Sequence, residues 1–402
     1  METRPLKHFK IRQSHSLGDG KSEDSAGSGP EKGWTLNKLK TDSPRFRYLA
    51  RRRNTFRIRC IEINEIIKSA WVILGLSGDF LDKSANSNVD SMQREISVDG
   101  NVDISKYYPA NVETYVDFPV NDEKTYRSNH RIPKMIHQTW STSAIPATFK
   151  DNVKSFISFN PVYEYYLWTD KGGRDLIAKK HEALLSTFDD YVEPTRKSDM
   201  LRYVVLYEYG GVYADLDTVC LRNLDRVLNK YSCVFTPEPF EHATLFYNTK
   251  FMVTNSIMFC SAKHPYMKQL MYTLPSFSHF SVDIDSTGPL LQTYLLSSYL
   301  KAFYARNLTD EHNEGVYIPS DVYFQSEIDI KRFKEFRRFC NNFDHLNYIG
   351  KQGCAVFVKR GMVRRRQSPY TYTKHAFYHT RAPWLPRDTI EIKQVVPYVT
   401  VF

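Results

Sequence analysis

Two acidic residues, Asp215 and Asp217, have the clearest capacity for chemistry in this chain. They follow residues 212–214, a short apolar run that predicts a buried strand. In a strand or at its exit, residues i and i+2 point the same way, so both carboxylates are expected to face one crevice. Hard oxygen ligands of this kind suit Mn²⁺ or Mg²⁺ bound together with a diphosphate. A solvated pair of acids is the ordinary alternative for an isolated triplet.

The elements around this pair alternate between strands and helices. Apolar runs predict strands and helical spacing predicts helices; the strands are expected at 134–140 and 163–168, and the helices at 146–158, 170–180 and 196–209. Gly210 and Gly211 end the last helix, because glycine supplies the backbone freedom that a helix end needs. This order predicts an α/β fold with a mostly parallel sheet flanked by helices, and ligands at the carboxyl ends of its strands.

Three further polar or aromatic residues precede the acidic pair closely in the sequence. Asp199 and Arg202 are i, i+3 neighbours on one face of the helix at 196–209. The aspartate can accept hydrogen bonds from a ligand, and the arginine can donate them, to phosphate for example. The alternative is a surface ion pair that contributes little. Tyr213 lies two residues before Asp215 and faces the same way, so it either lines the same crevice or packs as a core aromatic.

The motif that contains these residues is more specific than any of them. Residues 198–203 read SDMLRY, residues 210–217 read GGVYADLD, and residues 132–140 read IPKMIHQTW. Together they resemble glycosyltransferase family 32, strongly over residues 132–223 and more weakly over residues 254–384. The resemblance implies a GT-A fold, which is a nucleotide-sugar-binding α/β sandwich. It also implies an enzyme, a glycosyltransferase that transfers a hexose with retention of the anomeric configuration.

The resemblance also implies roles for individual residues. Asp215, Asp217, Asp199 and Arg202 are implied as catalytic, and Asp215, Asp217 and His379 as ligands of Mn²⁺ or Mg²⁺. The implied donor-binding residues are Trp140, Asp199, Arg202, Tyr213, Asp215, Asn255, His379 and Trp384. Trp140 is expected to stack on the nucleotide base, with a place in the core as the alternative. Pro383 stands where the family has serine, which weakens a backbone contact to phosphate at that position.

The function implied by the resemblance is transfer of mannose from GDP-mannose to a glycolipid or glycan acceptor, because the resemblance is best to mannosyltransferases that act on inositol phosphoceramide. One alternative is transfer of galactose or N-acetylglucosamine from a UDP-sugar. Another is a non-catalytic GT-A subunit that binds sugar. Three carboxylates are bare candidates for a nucleophile, namely Asp283, Asp285 and Glu238.

The distribution of charged residues along the chain indicates which classes of partner the protein can bind. Residues 1–60 hold 15 Lys and Arg against 6 Asp and Glu, so they carry +9 of the formal net charge of +10. A protein that binds nucleic acid through its folded part would carry the excess there, so this class is excluded. A basic segment without apolar periodicity predicts a disordered leader over residues 1–55, and its charge suits a membrane surface or plain solvation.

The next segments predict membrane association and a linker. Residues 56–80 are apolar but are interrupted by Glu62, Glu65 and Lys68. Since a spanning helix needs roughly 20 apolar residues, they predict an amphipathic helix or a weak signal anchor. Residues 81–128 predict a polar stem or linker, residues 129–388 the GT-A domain, and residues 389–402 a C-terminal tail.

A basic cluster before an apolar stretch, together with the resemblance, predicts residence in the Golgi or another secretory-pathway membrane with the catalytic domain in the lumen. The sequon that begins at Asn307 is acceptable on a lumenal surface. The six cysteines contain no CxxC pair. An even count permits disulfides in a lumenal domain, buried thiols are about as well supported, and pairing cannot be deduced from sequence.

Overall fold

The computed structural model describes residues 131–306, 314–359, 370–378 and 388–402. Several predictions from the sequence lie outside these ranges: the leader, the helix at 56–80, the linker, His379, Pro383, Trp384 and the sequon at Asn307.

The described residues form strands and helices in alternation. The strands are β1 (Met135–Thr139), β2 (Ala144–Pro146), β3 (Glu164–Trp168), β4 (Gly211–Ala214), β5 (Thr218–Cys220), β6 (Cys233–Pro237), β7 (Val253–Cys260), β8 (Val316–Tyr317), β9 (Thr373–His375), β10 (Thr389–Glu391) and β11 (Thr400–Val401). The helices are α1 (Lys150–Phe159), α2 (Asp170–Lys180), α3 (Leu185–Asp190), α4 (Pro194–Tyr209), α5 (Asp225–Lys230), α6 (Phe240–Tyr247), α7 (Pro265–Phe277), α8 (Asp283–Ser286), α9 (Pro289–Ala305), α10 (Phe333–Asn341), α11 (Tyr348–Lys359) and α12 (Ile392–Val395).

The main sheet has seven strands in the order β11-β3-β1-β4-β7-β6-β8. The pairs β11/β3, β3/β1, β1/β4 and β6/β8 are parallel, whereas β7 runs antiparallel to both β4 and β6. The predicted α/β class, with a mostly parallel sheet flanked by helices, is confirmed. Because β6 and β4 therefore run the same way, the carboxyl ends of β1, β3, β4 and β6 meet at one edge of the sheet.

Two apolar clusters cover the two faces of this sheet. One contains the buried side of α4 together with α7 and α9, and the other contains α1, α5 and α12. Every residue of β7 is buried, as is typical of a central strand covered on both faces. The sheet edge that carries the acidic pair is thus held by a core on each side.

The segment predicted as a C-terminal tail contributes to both this sheet and a smaller one. Thr400 and Val401 in β11 pair with β3, and β10 pairs with β2 in a separate two-stranded sheet. The Phe402 ring stacks on Trp168 with 4.2 Å between ring centroids. Residues 388–402 are therefore packed against the domain that carries the acidic pair.

The turn from α4 into β4 depends on two glycines with positive φ, 67° at Gly210 and 99° at Gly211. A Cβ at Gly210 would lie 2.6 Å from the backbone nitrogen of Ala262. Buried His137 secures the same turn: its Nδ1 accepts from Trp168, so its Nε2 donates to the Gly210 carbonyl at 2.9 Å. Burial lowers the pKa of His137 to about 4, which agrees with a neutral ring.

Gly210→Ala is expected to destabilise the protein by about 2 kcal/mol or more, because it adds a strained backbone conformation to a clash with a neighbouring strand exit. Gly350→Ala is the matched control, since Gly350 lies inside α11 and a Cβ there would meet its nearest atom at 3.3 Å. Urea unfolding of both variants measures the difference. Equal stability of the two variants would contradict the account of this turn.

Two disulfides join described residues, Cys233 to Cys260 across β6 and β7, and Cys340 to Cys354 between α10 and α11. The structure thus pairs cysteines whose partners the sequence left open, and Cys220 stays a buried thiol. Among the helices that the structure describes, none combines the length and the hydropathy required to cross a membrane.

Candidate active site

The acidic pair lies directly after β4, and a separate two-stranded sheet brings a histidine to it. Strand β5 begins at Thr218 and pairs antiparallel with β9, so Thr218 lies opposite His375. His375 Nε2 is 2.9 Å from Asp217 Oδ1, and the Tyr378 backbone N–H donates to Asp217 Oδ2 at 2.8 Å. Both oxygens of Asp217 are therefore held by the β9 segment.

The donor set of this cluster fits a divalent metal ion. One ligand atom from each of Asp215, Asp217 and His375 lies within 4.8 Å of the others. His375 Nδ1 is buried and has no hydrogen-bond partner among the residues that the structure describes. Two carboxylates and an imidazole suit Mn²⁺, which accepts oxygen and nitrogen ligands.

The sequence did not identify His375. The prediction named His379, four residues further along and outside the described residues, on the basis of a resemblance of the C-terminal block. The only local signal was a histidine in a run of aromatic and β-branched residues that favours a strand. Its pairing with β5 joins segments that are 158 residues apart, and spacing cannot show such a contact.

The charges of the cluster are set by burial and by each other. Burial would raise the pKa of Asp217, but His375 and the Tyr378 N–H hold it below its usual range. Burial would lower the pKa of His375, but Asp217 raises it to about 9. Burial raises the pKa of Asp215 in spite of the Arg202 guanidinium. In the metal-free chain at neutral pH, His375 is thus protonated and pairs with an ionised Asp217.

This ion pair predicts how the metal-free protein responds to pH. The pKa of His375 is raised on folding, so its contribution to stability is complete below its ordinary pKa of 6.5 and is lost as pH rises to about 9. The loss is on the order of 3 kcal/mol. Urea unfolding in EDTA at pH 6, 7.5 and 9 should show this decline. His375→Gln should flatten it, whereas the exposed control His345→Gln should keep it; an unchanged slope in His375→Gln would contradict the ion pair.

Asp199 and Arg202 form a buried pair beside the acidic cluster. Their side chains are only 4% and 7% exposed, so the alternative of a surface ion pair is wrong. Arg202 bridges two carboxylates: Nη2 lies 3.3 Å from Asp199 Oδ1, and Nη1 lies 3.3 Å from Asp215 Oδ1. Burial would lower the pKa of Arg202, but Asp215 and Asp199 raise it above its ordinary value. The guanidinium therefore orients Asp215 from inside the protein.

Asn255 joins this network through strand β7. Its side-chain nitrogen donates to Asp199 Oδ1 at 2.9 Å, and its backbone carbonyl accepts from Arg202 Nη1 at 2.9 Å. Thr287, at the end of α8, donates to Asp199 Oδ2 at 2.7 Å. Burial raises the pKa of Asp199 to about 6. The predicted donor-site residues Asp199, Arg202 and Asn255 are thus brought together by α4 and β7.

Tyr213 is both a core aromatic and a neighbour of the acidic pair. Its ring is buried beneath the Arg202 guanidinium at 4.7 Å from centroid to Cζ. Its hydroxyl donates to Asp215 Oδ1 at 2.7 Å and lies 3.0 Å from Thr139 Oγ1. The two interpretations of Tyr213 from the sequence are therefore compatible, because the ring fills the core while the hydroxyl holds Asp215.

Trp140 lies one residue after β1, at the same edge of the sheet. Its partly buried ring packs edge-on against Phe149 at 6.2 Å, and Phe149 packs edge-on against Tyr378 at 5.3 Å. Since the Tyr378 backbone binds Asp217, this aromatic row leads to the acidic cluster. Its role in stacking on a nucleotide base stays a prediction.

The three carboxylates considered as nucleophiles lie in different places. Glu238 follows β6 at the edge that carries Asp215, and its Oε2 accepts a hydrogen bond from His242 Nδ1 at 3.0 Å. Burial would raise the pKa of Glu238, but His242, and then the more distant charge of His375, hold it low. Asp283 instead binds Arg196 at 3.1 Å, and Asp285 lies with it in the short helix α8. Of the three, Glu238 is the one on the edge with the cluster.

Comparison with known proteins adds independent findings. Inositol phosphoceramide mannosyltransferase 3 of Schizosaccharomyces pombe is 36% identical over 191 residues, which is 46% of this chain and 51% of that protein. Mannosyl phosphorylinositol ceramide synthase SUR1 of Saccharomyces cerevisiae is 31% identical over 173 residues, 42% of each chain. The chain thus spans about half the length of the curated relatives it matches.

A solved structure of the galactosyltransferase LgtC with donor and acceptor sugar analogs aligns at 10% identity and a TM-score of 0.34, over 66% of this chain and 94% of that one.

A family model describes the glycosyltransferase sugar-binding region containing a DXD motif, and it matches residues 146–234. This range includes α4 with Asp199 and Arg202, strand β4, and the acidic pair that follows it. The resemblance that the sequence motifs predicted is thereby confirmed. Residues 146–234 of this chain are thus similar to glycosyltransferase sugar-binding regions that contain a DXD motif.

Proposed function

We propose that this protein is a retaining glycosyltransferase that moves a hexose from a nucleotide sugar to a glycolipid or glycan acceptor. The observation that carries the proposal is the cluster of Asp215, Asp217 and His375 at the carboxyl edge of the sheet, beside the buried pair of Asp199 and Arg202. Mannose from GDP-mannose is the first candidate donor, because the relatives that match 42–46% of the chain are named as mannosyltransferases or mannosyl-lipid synthases. A UDP-sugar is the alternative.

The protein's own residues supply a preorganised anionic site. Arg202 and the Tyr213 hydroxyl both contact Asp215 Oδ1, so this carboxylate has a defined orientation before any ligand arrives. The β9 segment holds Asp217 in the same way. Fixed groups cost little reorganisation when charge develops in the reaction, which is the main source of electrostatic catalysis.

Asp215, Asp217 and His375 would hold the divalent cation, Mn²⁺ or Mg²⁺. When bound there, the cation would supply positive charge beside the diphosphate leaving group. His375 would have to release the proton that it shares with Asp217, since a metal ligand must be deprotonated. Asp199 accepts from Asn255 through Oδ1 and from Thr287 through Oδ2, and a carboxylate oxygen that accepts one hydrogen bond can accept a second from the donor sugar.

Glu238 would act on the acceptor during the transfer. Its carboxylate is held by His242, whose Nε2 accepts from the Asp329 backbone N–H at 2.9 Å, so the tautomer of the imidazole is defined. An ionised carboxylate at this edge would orient an attacking hydroxyl or stabilise positive charge on the sugar carbon. The comparison of Glu238→Gln with wild type at saturating donor tests this role.

A donor panel tests the proposed function directly. The purified full chain is incubated with Mn²⁺ and GDP-mannose, UDP-galactose or UDP-N-acetylglucosamine, with inositol phosphoceramide as acceptor, and product is detected by mass spectrometry. Transfer from one donor that stops in EDTA supports an enzyme and identifies the sugar. Binding of a nucleotide sugar without transfer or hydrolysis of any donor would favour the non-catalytic sugar-binding subunit instead.

The proposed location is the Golgi or another secretory-pathway membrane, with the catalytic domain in the lumen. Support comes from the disulfides Cys233–Cys260 and Cys340–Cys354, since disulfides persist in oxidising compartments. Protease treatment of intact microsomes is expected to leave residues 131–402 undigested until detergent is added. Digestion of this part without detergent, while a lumenal marker stays protected, would contradict the proposed topology.

A further inference from the structure

The hairpin of α10 and α11 carries exposed side chains that the proposed reaction does not use. The exposed basic and aromatic side chains of this hairpin are called here the hairpin patch: Lys334, Arg337, Arg338, Phe343 and Tyr348. The side chains are basic on α10 and aromatic in the turn and at the start of α11. This combination of residue types is typical of surfaces that contact a lipid headgroup region.

The hairpin is firmly folded, so the exposure of the patch is a property of the native state. Phe336 of α10 and Phe357 of α11 are fully buried in a small apolar cluster with Leu245 and Ile328. The disulfide between Cys340 and Cys354 joins the two helices. The side chains that face away from this cluster are therefore presented on a rigid base.

The basic residues of α10 lie on the side opposite to its buried stripe. Phe333, Phe336 and Cys340 recur at the i, i+3 and i+7 spacing of one helix face and pack towards the cluster. Lys334, Arg337 and Arg338 are exposed on the remaining surface, together with Glu335, the one acidic residue of α10, which pairs with Arg332 at 3.3 Å. In this sense α10 is a short amphipathic helix whose polar face is cationic.

Two large aromatic side chains of the same hairpin are also exposed. Phe343 is 42% exposed and Tyr348 is 69% exposed. Each has a lysine nearby, with Lys351 Nζ 5.5 Å from the Phe343 ring centroid and Lys250 Nζ 5.6 Å from that of Tyr348. Aromatic rings between cations suit the boundary between headgroups and acyl chains, where a ring inserts while the charges stay with phosphates.

The hairpin patch is also coupled to the acidic cluster by a short chain of contacts. Lys331, just before α10, donates to the Tyr378 carbonyl at 3.1 Å and lies over the Tyr378 ring at 4.3 Å. The Tyr378 backbone N–H donates to Asp217 at 2.8 Å. The segment that leads into α10 is thus two contacts away from Asp217.

We propose that the hairpin patch docks onto the surface of a membrane that contains anionic phospholipids. Charge complementarity selects this occupant, since a basic residue near an anionic bilayer gains favourable free energy from the surface potential. The exposed aromatic rings favour a bilayer over a soluble polyanion, which offers them no apolar layer. The proposal concerns binding alone and does not depend on the proposed transfer reaction.

Substitution by tryptophan at two separate positions of the full chain tests this docking. Tyr348→Trp places a reporter in the patch, and Val162→Trp is the matched control: Val162 is 71% exposed and lies before β3, at the opposite edge of the sheet. Each variant is mixed with vesicles of phosphatidylcholine and phosphatidylinositol whose acyl chains carry bromine, a contact quencher of tryptophan. Extra quenching over wild type is expected for Y348W and not for V162W.

Replacing the basic residues of the patch by glutamine tests whether their charge causes the docking. In the Y348W background, Lys334→Gln with Arg337→Gln and Arg338→Gln is expected to abolish the extra quenching. Neutralising the exposed Lys154, Lys179 and Lys268 to Gln makes the same change in charge elsewhere and should preserve it.

Three results would overturn the proposal: equal quenching of Y348W and V162W, quenching that survives neutralisation of the patch, and quenching that is as strong on pure phosphatidylcholine. Sedimentation with vesicles without quenching of Y348W would assign membrane binding to another segment, such as the basic leader. Circular dichroism of each variant confirms that the chain is folded. No step of this experiment measures sugar transfer. The quenching result therefore tests membrane docking even if the donor panel detects no transfer.

Discussion

Asp217→Asn is expected to lower transfer by about 10³-fold while the chain stays folded, because a neutral amide is a poor ligand for a hard cation and no longer pairs with His375. The carboxamide keeps the size of the side chain and can still accept from the Tyr378 N–H, which is 2.8 Å from Asp217 Oδ2. Initial rates at saturating donor and Mn²⁺ measure the loss. Calorimetric titration with Mn²⁺ alone gives a second readout, in which the variant should bind at least about tenfold more weakly.

Asp151→Asn is the matched control for this variant. Asp151 is an exposed carboxylate on α1, so the same chemical change there should alter neither transfer nor Mn²⁺ binding. Full turnover of Asp217→Asn would remove Asp217 from the proposed metal site. Lost turnover with unchanged Mn²⁺ affinity would instead assign Asp217 a role in positioning His375.

Arg202→Met is expected to destabilise the protein by about 3–5 kcal/mol and to abolish activity, because it leaves Asp199 and Asp215 without their shared cation in a buried setting. Methionine retains most of the apolar stem, so the loss reports the charge rather than a cavity. Arg202→Lys should recover only part of the stability, since an ammonium cannot reach both carboxylates as the guanidinium fork does. Urea unfolding at pH 7 gives the free energy of unfolding of the wild type, Arg202→Met and Arg202→Lys.

Arg174→Met provides the comparison at the surface. Arg174 binds Asp189 through two hydrogen bonds of 2.8 Å, a better geometry than that of Arg202, but both partners are exposed. Little change in stability is expected there, because solvent screens exposed pairs. If Arg202→Met were no more harmful than Arg174→Met, burial would not be what makes the Arg202 pair important.

The local part of the site could be predicted from sequence because its information is local. Asp215 and Asp217 share a direction through the period of two in a strand, and Tyr213 shares it as well. The glycines at the end of α4 are likewise local, since positive φ favours glycine whatever surrounds it. Asp199 and Arg202 could be placed on one helix face, but their burial could not, because it depends on Asn255 of β7 and on Thr287, which follows α8.

Sequence patterns by themselves therefore determined the α/β class, the succession of strands and helices along the chain up to β4, and the position of the acidic pair. All three follow from periodicity and turn residues along contiguous segments. Tertiary structure decided the third member of the cluster, since His375 reaches Asp217 only through the pairing of β5 with β9. It also decided that Thr400 and Val401 join the sheet beside β3, and that Cys340 pairs with Cys354 in the hairpin. Such contacts join distant segments, and their stability comes from burial and partners that no single segment contains.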